Sequence, residues 1–316
     1  MEKVLITGIG GAAGICVAKA LRDRYRLVGV DANPYATGQV LVDEFQVVPL
    51  ASSPDFLHKL VEVSEGCDAL FCTVDEELRV VSKNRGSFAC RVLVSDHAAV
   101  ENSLDKLRCS ELLGRAGVAV PKTVEVGEKP FSELSGELGL PLFIKPRRGR
   151  GARDVVVIKS LEDFERWCAV FRQEDYIAQE YLGGDEYTVD VLLRDKRALV
   201  AVPRKRLLVD SGVSIAGMTV RDERISDMAA RAAEALGLNY IVNVQVKVGR
   251  DGPKVTEVNP RPSGGLVLTV RAGVNMPELA LRIARGDPIS EDELRYESGL
   301  LMLRYHEEVF KKICGV

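Results

Sequence analysis

Val255–Gly265 reads V-T-E-V-N-P-R-P-S-G-G, an alternating stretch that stops at a proline. Side chains two apart on a strand leave from one face, so Glu257 and Asn259 point the same way. Pro260 ends the strand, Arg261 follows, and Gly264-Gly265 opens the backbone. A hard cation such as Mg²⁺ takes oxygen ligands and keeps substrate phosphate and water in its sphere. Glu257 and Asn259 offer two such oxygens, and Arg261 offers a fork of donors to a phosphate. The same pattern also suits an edge strand whose polar residues face water, and this stretch alone leaves both readings open.

Just upstream, Tyr240–Val248 and Lys254–Val258 read as the arms of a hairpin turning at Arg250-Asp251-Gly252, since Asp-Gly is a turn signal. Asn243 and Gln245 share one face of the first arm, which brings Gln245 toward Glu257 and Asn259. Further back, an apolar strand at Pro141–Lys145 runs into Arg147-Arg148-Gly149-Arg150-Gly151-Ala152-Arg153, and a strand at Val155–Ile158 follows. A basic, glycine-bearing loop between two strands predicts a flap that closes on a polyphosphate, with Gly149–Gly151 excluding water. RNA is disfavoured, because the chain is net acidic and no aromatic residue is interleaved in the basic run. No Gly-Lys dipeptide occurs, which excludes a Walker-type loop. Elsewhere in this half the pattern predicts helices from Asp105 to about Ala116 and over Arg224–Leu236. Strands are expected over Tyr176–Leu182, Glu186–Val191 and Arg197–Val209, with a loop over Asp210–Gly217. A strand within Tyr296–Val309 is expected to complete the central sheet.

The first hundred residues alternate short apolar strands and helices: strands at Val4–Thr7, Leu27–Val30, Ala69–Cys72 and Arg91–Val94, with helices between. Repeated βα units imply an open parallel sheet covered on both faces. Gly8-x-Gly10-Gly11-x-x-Gly14 after the first strand, and Asp31 after the second, look like a dinucleotide fingerprint. The dehydrogenases with that opening need a Tyr-x-x-x-Lys pair, and none of the eight tyrosines has Lys four residues on. Asp75-Glu76-Glu77 follows a strand end where such sheets place ligands, but acids in a helix's first turn also complement its dipole. His58, His97 and His306 are isolated and suggest no metal site.

A length of 316 residues suggests two domains, and a net charge of −3 gives no reason to expect a nucleic-acid or membrane partner. Seven cysteines without a C-x-x-C pair argue against a zinc knuckle or a disulfide framework and for a reducing compartment. The opening M-E-K-V-L-I-T-G reads as a strand rather than a signal segment, so the expected location is cytoplasmic.

Taken together, the ordered series Lys106, Lys145, Glu180, Glu186, Gln245, Glu257, Asn259 and Arg261 resembles the ATP-grasp superfamily, most nearly its carbamoyl-phosphate-synthase large-subunit branch. The landmarks run from about Gly8 to Gly265. The resemblance implies a mixed α/β chain: a Rossmann-like preATP-grasp domain over residues 1–96, which in that family does not usually bind NAD. A two-lobed ATP-grasp domain follows over 97–316, α+β in its later part, with a lid at about 119–182 and a core lobe at about 183–316.

It further implies that Lys106 and Lys145 contact ATP phosphates and that Arg148, Gly149 and Gly151 belong to the phosphate loop. Glu180, Tyr181 and Leu182 would form the adenine hinge, Glu186 would hold the ribose, and Gly212 and Ser214 would lie in a further nucleotide loop. Gln245, Glu257 and Asn259 would hold one or two Mg²⁺ (or Mn²⁺) ions, with Arg261, Lys145 and Asn259 acting in catalysis. Arg204, Arg206, Ser263, Gly264 and Gly265 would border the acceptor.

The activity so implied is an ATP-dependent carboxylate–amine (or thiol) ligase working through an acylphosphate. Its partners would be small-molecule carboxylates and amines, and a homodimer is an expectation of the family. Phosphorylation of bicarbonate or carbamate, or a catalytically silent nucleotide-binding module, are the alternatives. Two departures stand out. A carbamoyl phosphate synthase large subunit carries two such modules where this chain has one, and Gln245 stands where many ATP-grasp ligases have an acid.

Overall fold

The computed structural model describes residues 1–149, 154–305 and 307–310. Its first unit is βα alternation: β1 (Lys3–Thr7), α1 (Ala12–Leu21), β2 (Arg26–Asp31), β3 (Glu44–Val47), α2 (Phe56–Ser64), β4 (Ala69–Phe71), α3 (Asp75–Lys83) and β5 (Arg91–Val92). The strands form one parallel sheet in the order β3-β2-β1-β4-β5. Near-continuous apolar strands such as V-L-I are what a sheet buried on both faces requires. One face packs with Phe56, Leu60, Leu78 and Val81. The other shares a core with the second half of the chain, described below.

Two helices, α4 (His97–Leu104) and α5 (Lys106–Arg115), lead out of this sheet. Asp105 caps α5 by accepting from the Arg108 N–H, which satisfies one orphan donor of the first turn. A small antiparallel sheet comes next: β6 (Thr123–Glu125), α6 (Phe131–Leu138), β7 (Leu142–Pro146), β8 (Val156–Ile158), α7 (Leu161–Cys168) and β9 (Tyr176–Glu180), in the order β6-β9-β7-β8. Leu142 and Ile144 face its own core with Trp167 and Phe164, while Phe143 and Lys145 alternate onto the opposite face.

The largest sheet is built from β10 (Asp185–Arg194), β11 (Arg197–Asp210), β12 (Val213–Thr219), α8 (Glu223–Ala235), β13 (Tyr240–Gly249), β14 (Gly252–Asn259), α9 (Leu266–Arg271), α10 (Met276–Arg285) and β15 (Leu301–Leu303). Its order is β14-β13-β10-β11-β12-β15. Val242, Val244 and Val246 pack against α8, while Asn243, Gln245 and Lys247 face the other way. The loop expected over Asp210–Gly217 is instead mostly strand. Asp210 pairs with Val213, and Ser211 (φ 48°) and Gly212 (φ 79°) close a two-residue hairpin whose twist requires positive φ at both central positions. The tail contributes only Leu301–Leu303 as strand, paired with β12 at the sheet edge.

A second difference lies in β14. Strict alternation puts Val255 on the face of Glu257, yet Val255 and Val258 both enter the α8 core. A bulge explains this: Gln245 pairs with Glu257 and Val246 with Val255, leaving Thr256 as the extra residue. Among the described residues no helix is long and apolar enough to cross a membrane.

Candidate active site

All three sheets converge on one cavity of about 590 Å³. The parallel sheet contributes Gly8, Gly11 and Thr73, the small sheet Phe143, Lys145 and Gln179, and the large sheet most of the floor. On that floor the hairpin register sets Gln245 opposite Glu257 and Asn243 opposite Asn259. One carboxylate and three carboxamides therefore stand as adjacent cross-strand pairs, as the hairpin reading expected. Among the described residues no group of three His, Cys, Asp or Glu side chains forms an all-protein metal cage. Asn243 is 4% exposed, and its Nδ2 has no hydrogen-bond partner among the described residues. A buried donor left unpaired is costly, so it favours an acceptor atom from a ligand. With the oxygen pairs beside it, this set fits a Mg²⁺–nucleotide.

Lys145 reaches this floor from β7. It is 5% exposed, donates to the Thr256 carbonyl at 3.1 Å, and stacks its ammonium 5.7 Å from the Phe143 ring centroid. Burial depresses its pKa to about 8, although the Glu257 carboxylate pulls the other way. The carbonyl it meets belongs to Thr256, the bulged residue of β14.

Arg261 sits just past the floor strand and is held. Its Nε donates to Asp75 Oδ1 at 2.5 Å, and its Nη2 lies 3.4 Å from both Asp75 Oδ2 and Asn259 Oδ1. Burial works against its charge, but the Asp75 carboxylate outweighs that and raises its pKa. Arg204 borders the cavity too but turns its fork on the fully buried Asp190, at 3.0 and 2.9 Å, and donates to Ser263 Oγ at 2.7 Å. Thr269 adds a hydrogen bond of 2.6 Å to the same aspartate. A Cβ at Gly265 would overlap the Arg204 guanidinium, and the Gly264 carbonyl accepts from Arg304 Nη2 at 2.7 Å. The P-S-G-G turn is thus a rigid rim.

At the other end, Glu180, Tyr181 and Leu182 line the cavity where β9 passes into β10. The Glu180 carboxylate accepts from Lys254 Nζ at 2.5 Å and from the Lys122 N–H at 2.9 Å; burial opposes its charge, but these donors lower its pKa. Glu186 is ion-paired with Arg206, whose Nη2 and Nε also reach the Gly212 carbonyl at 2.8 Å and Ser214 Oγ at 3.2 Å. Glu186, Arg206, Gly212 and Ser214 all line the cavity.

Lys106, Arg148 and Gly149, expected at the phosphates, make contacts among themselves and with Glu101 and Asp105. Lys106 Nζ donates to the Gly149 carbonyl at 2.7 Å, and Arg148 pairs with Glu101 and Asp105, each at 3.1 Å. Asp105 also takes Arg147 at 2.9 Å, and Lys106 lines a smaller pocket that shares Gln179, Thr256 and Glu257 with the main cavity. Gly151, with Arg150, Ala152 and Arg153, lies outside the described residues. Conversely, the pattern favours Asp75 as a helix-start acid and does not single out Asp190 or Thr188. For Asp75 the signal was present, because it follows the carboxyl end of a parallel strand; for Asp190 only the fold reveals it.

Residues 172–307 match the family model described as "ATP-grasp in the biosynthetic pathway with Ter operon", and residues 4–94 match "PylC-like, N-terminal domain". Curated relatives include the carbamoyl phosphate synthase large chain of Methanothrix thermoacetophila, 25% identical over 93% of this chain and 30% of that one. A probable alpha-L-glutamate ligase of Rhodopirellula baltica is 28% identical over 63% of this chain and 55% of that one. The chain thus spans well under two thirds of the length of these relatives. Among solved structures, the carboxyaminoimidazole ribonucleotide synthase of Aspergillus clavatus complexed with ATP superimposes with a TM-score of 0.78 at 16% identity, over 96% of this chain and 81% of that one. The biotin carboxylase domain of the Hydrogenobacter thermophilus 2-oxoglutarate carboxylase, with MgADP, ADP and bicarbonate, gives 0.74 at 17% identity over 93% and 72%. The chain thus joins a PylC-like N-terminal domain to an ATP-grasp domain, and over nearly its whole length it shares the fold of these solved structures.

Proposed function

We propose that this chain is an ATP-dependent ligase that activates a carboxylate as its acylphosphate, which an amine (or thiol) then attacks to release phosphate. The observation that carries the reading is the registered Gln245–Glu257 and Asn243–Asn259 pairs lying beside Lys145 and Arg261 in one cavity. Glu257, Asn259 and Gln245 are the residues to hold one or two Mg²⁺ ions, which when bound supply charge neutralisation at the phosphates. The chain's own part is positioning and charge. Lys145 and Arg261 bring cationic donors to the transferring phosphoryl group. The β9–β10 junction at Glu180–Leu182 is the adenine end and Glu186 borders the ribose; Arg206, expected at the acceptor, is ion-paired with Glu186 and goes with this end. Ser263, Gly264 and Gly265 rim the side on which an acceptor carboxylate enters.

A second reading is supported by relatives named as carbamoyl phosphate synthases: the phosphoryl acceptor is bicarbonate or carbamate. ADP release measured over panels of carboxylates and amines separates the two, since bicarbonate-stimulated turnover without any amine favours the second. Glu257→Gln should cut turnover by about 10²–10³-fold while the protein still binds ADP. Unchanged turnover would remove Glu257 from the metal site, and the absence of any nucleotide binding by the parent protein would end both readings.

A further inference from the structure

The parallel sheet enters the site through one side chain. Asp75 is 8% exposed, opens α3, and meets Arg261 across 186 residues of sequence. A guanidinium has five N–H donors in a fixed fork. Here Nε and one Nη2 hydrogen go to Asp75, the other Nη2 hydrogen to Asn259 Oδ1, and one Nη1 hydrogen to the Pro262 carbonyl at 3.1 Å. Among the described residues one Nη1 donor is left, and its direction is set by the other four.

The backbone bearing Asp75 is itself braced. Thr73 Oγ1 donates to the Thr7 carbonyl at 2.7 Å and Thr73 N to Thr7 Oγ1 at 3.3 Å, tying the end of β4 to the end of β1. Gly8, at φ 58°, lies so close to Val74 that a Cβ there would overlap the Val74 side chain. The first glycine of the supposed dinucleotide fingerprint therefore serves to seat the turn that aims Asp75.

We propose that Asp75 is a positioning residue for Arg261: it holds the guanidinium with a single Nη1 donor for a phosphoryl oxygen and orients the Asn259 amide oxygen beside it. The inference rests on the nucleotide reading of the site given above. It makes the N-terminal sheet part of the phosphoryl-transfer machinery rather than only a packing partner. A counter-ion needed only for folding would change stability but not the discrimination between nucleotides.

The test is a double-mutant cycle on Asp75→Asn, Arg261→Ala and the double variant, with Asp75→Glu as the conservative control. Calorimetry with MgADP and with a non-hydrolysable ATP analogue gives the preference for a γ-phosphate, and kcat and KM for ATP are measured beside it. Asp75→Asn should lower that preference, and kcat where turnover occurs, by about 10–100-fold, the usual loss when the partner orienting a ligand group is removed. MgADP affinity should stay near the parent value. The double variant should be no worse than Arg261→Ala, and Asp75→Glu should recover most of the loss. Additive losses, or a lowered melting temperature with an unchanged γ-phosphate preference, overturn the inference while leaving the nucleotide reading intact. A parent protein that binds no MgADP overturns both.

Discussion

Lys145 is charged at neutral pH in a place where burial resists that charge. Its folded pKa of about 8 lies below the ordinary 10.5, so between those values the unfolded chain binds the extra proton and the folded chain does not. This group's contribution to stability is therefore full above the unfolded value and is lost as pH falls from there toward about 8. On the proposed reading, nucleotide phosphates select the protonated form, which gives binding the opposite sign. Nucleotide affinity should be highest below pH 8 and weaken as pH rises through it, and a calorimetric titration in two buffers should show proton uptake above that point. Lys145→Arg keeps its charge over this range and should bind with a flat pH profile. A parent protein whose affinity is flat across this range would show that Lys145 does not meet the phosphates.

At the scale of elements, the passage from β9 to β10 depends on Gly184. Its φ of 99° is a backbone state that side chains rarely adopt, and a Cβ there would overlap the Val248 carbonyl oxygen on β13. Neither the strand nor the carbonyl is free to give way, because Asp185 pairs with Val248 in the sheet. Gly184→Ala should therefore destabilise the protein by about 1–3 kcal/mol from backbone strain, with the overlap adding to it. A lowered urea midpoint together with weakened ADP binding is the expected result, since Glu180–Leu182 lies just upstream. The β11–β12 hairpin shows the limit of pattern reading at this scale: Asp210–Gly217 has the polar, glycine-bearing look of a loop. Only the positive φ values at Ser211 and Gly212, and pairing to β11, make most of it strand.

Across the whole molecule, the parallel sheet and the large sheet share one core. Val4, Ile6 and Leu21 pack in the same cluster as Leu192, Val202, Ile241, Leu266 and Met276. Tyr25 Oη to Glu278 (3.0 Å) and Asn275 Nδ2 to the Ala20 carbonyl (3.2 Å) add to that seam. The small sheet instead has its own core around Phe164, Trp167 and Tyr176. These two bodies should unfold separately. Trp167 is the chain's one tryptophan, so its fluorescence reports the small sheet while far-UV circular dichroism follows the bulk. Distinct urea midpoints for the two signals are expected, and superimposable curves would mean that the small sheet has no independent cooperativity.

What was legible in the sequence follows from short-range physics. Apolar alternation and the Asp-Gly turn were enough to place Glu257, Asn259 and Gln245 on one face of a hairpin, and βα repetition was enough to imply the parallel sheet. Three things waited for the tertiary structure. The bulge at Thr256 depends on which valines the α8 core accepts; the pairing of Asp105 with Arg147 and Arg148 depends on where α5 comes to rest; and Arg261 meets Asp75 only when two sheets pack. Within V-T-E-V-N-P-R the sequence determined that Glu257 and Asn259 share a face, because strand period is a property of the backbone. Where Arg261 aims was decided by a carboxylate 186 residues away, because the counter-charge of a buried cation is chosen by packing and not by neighbours in sequence.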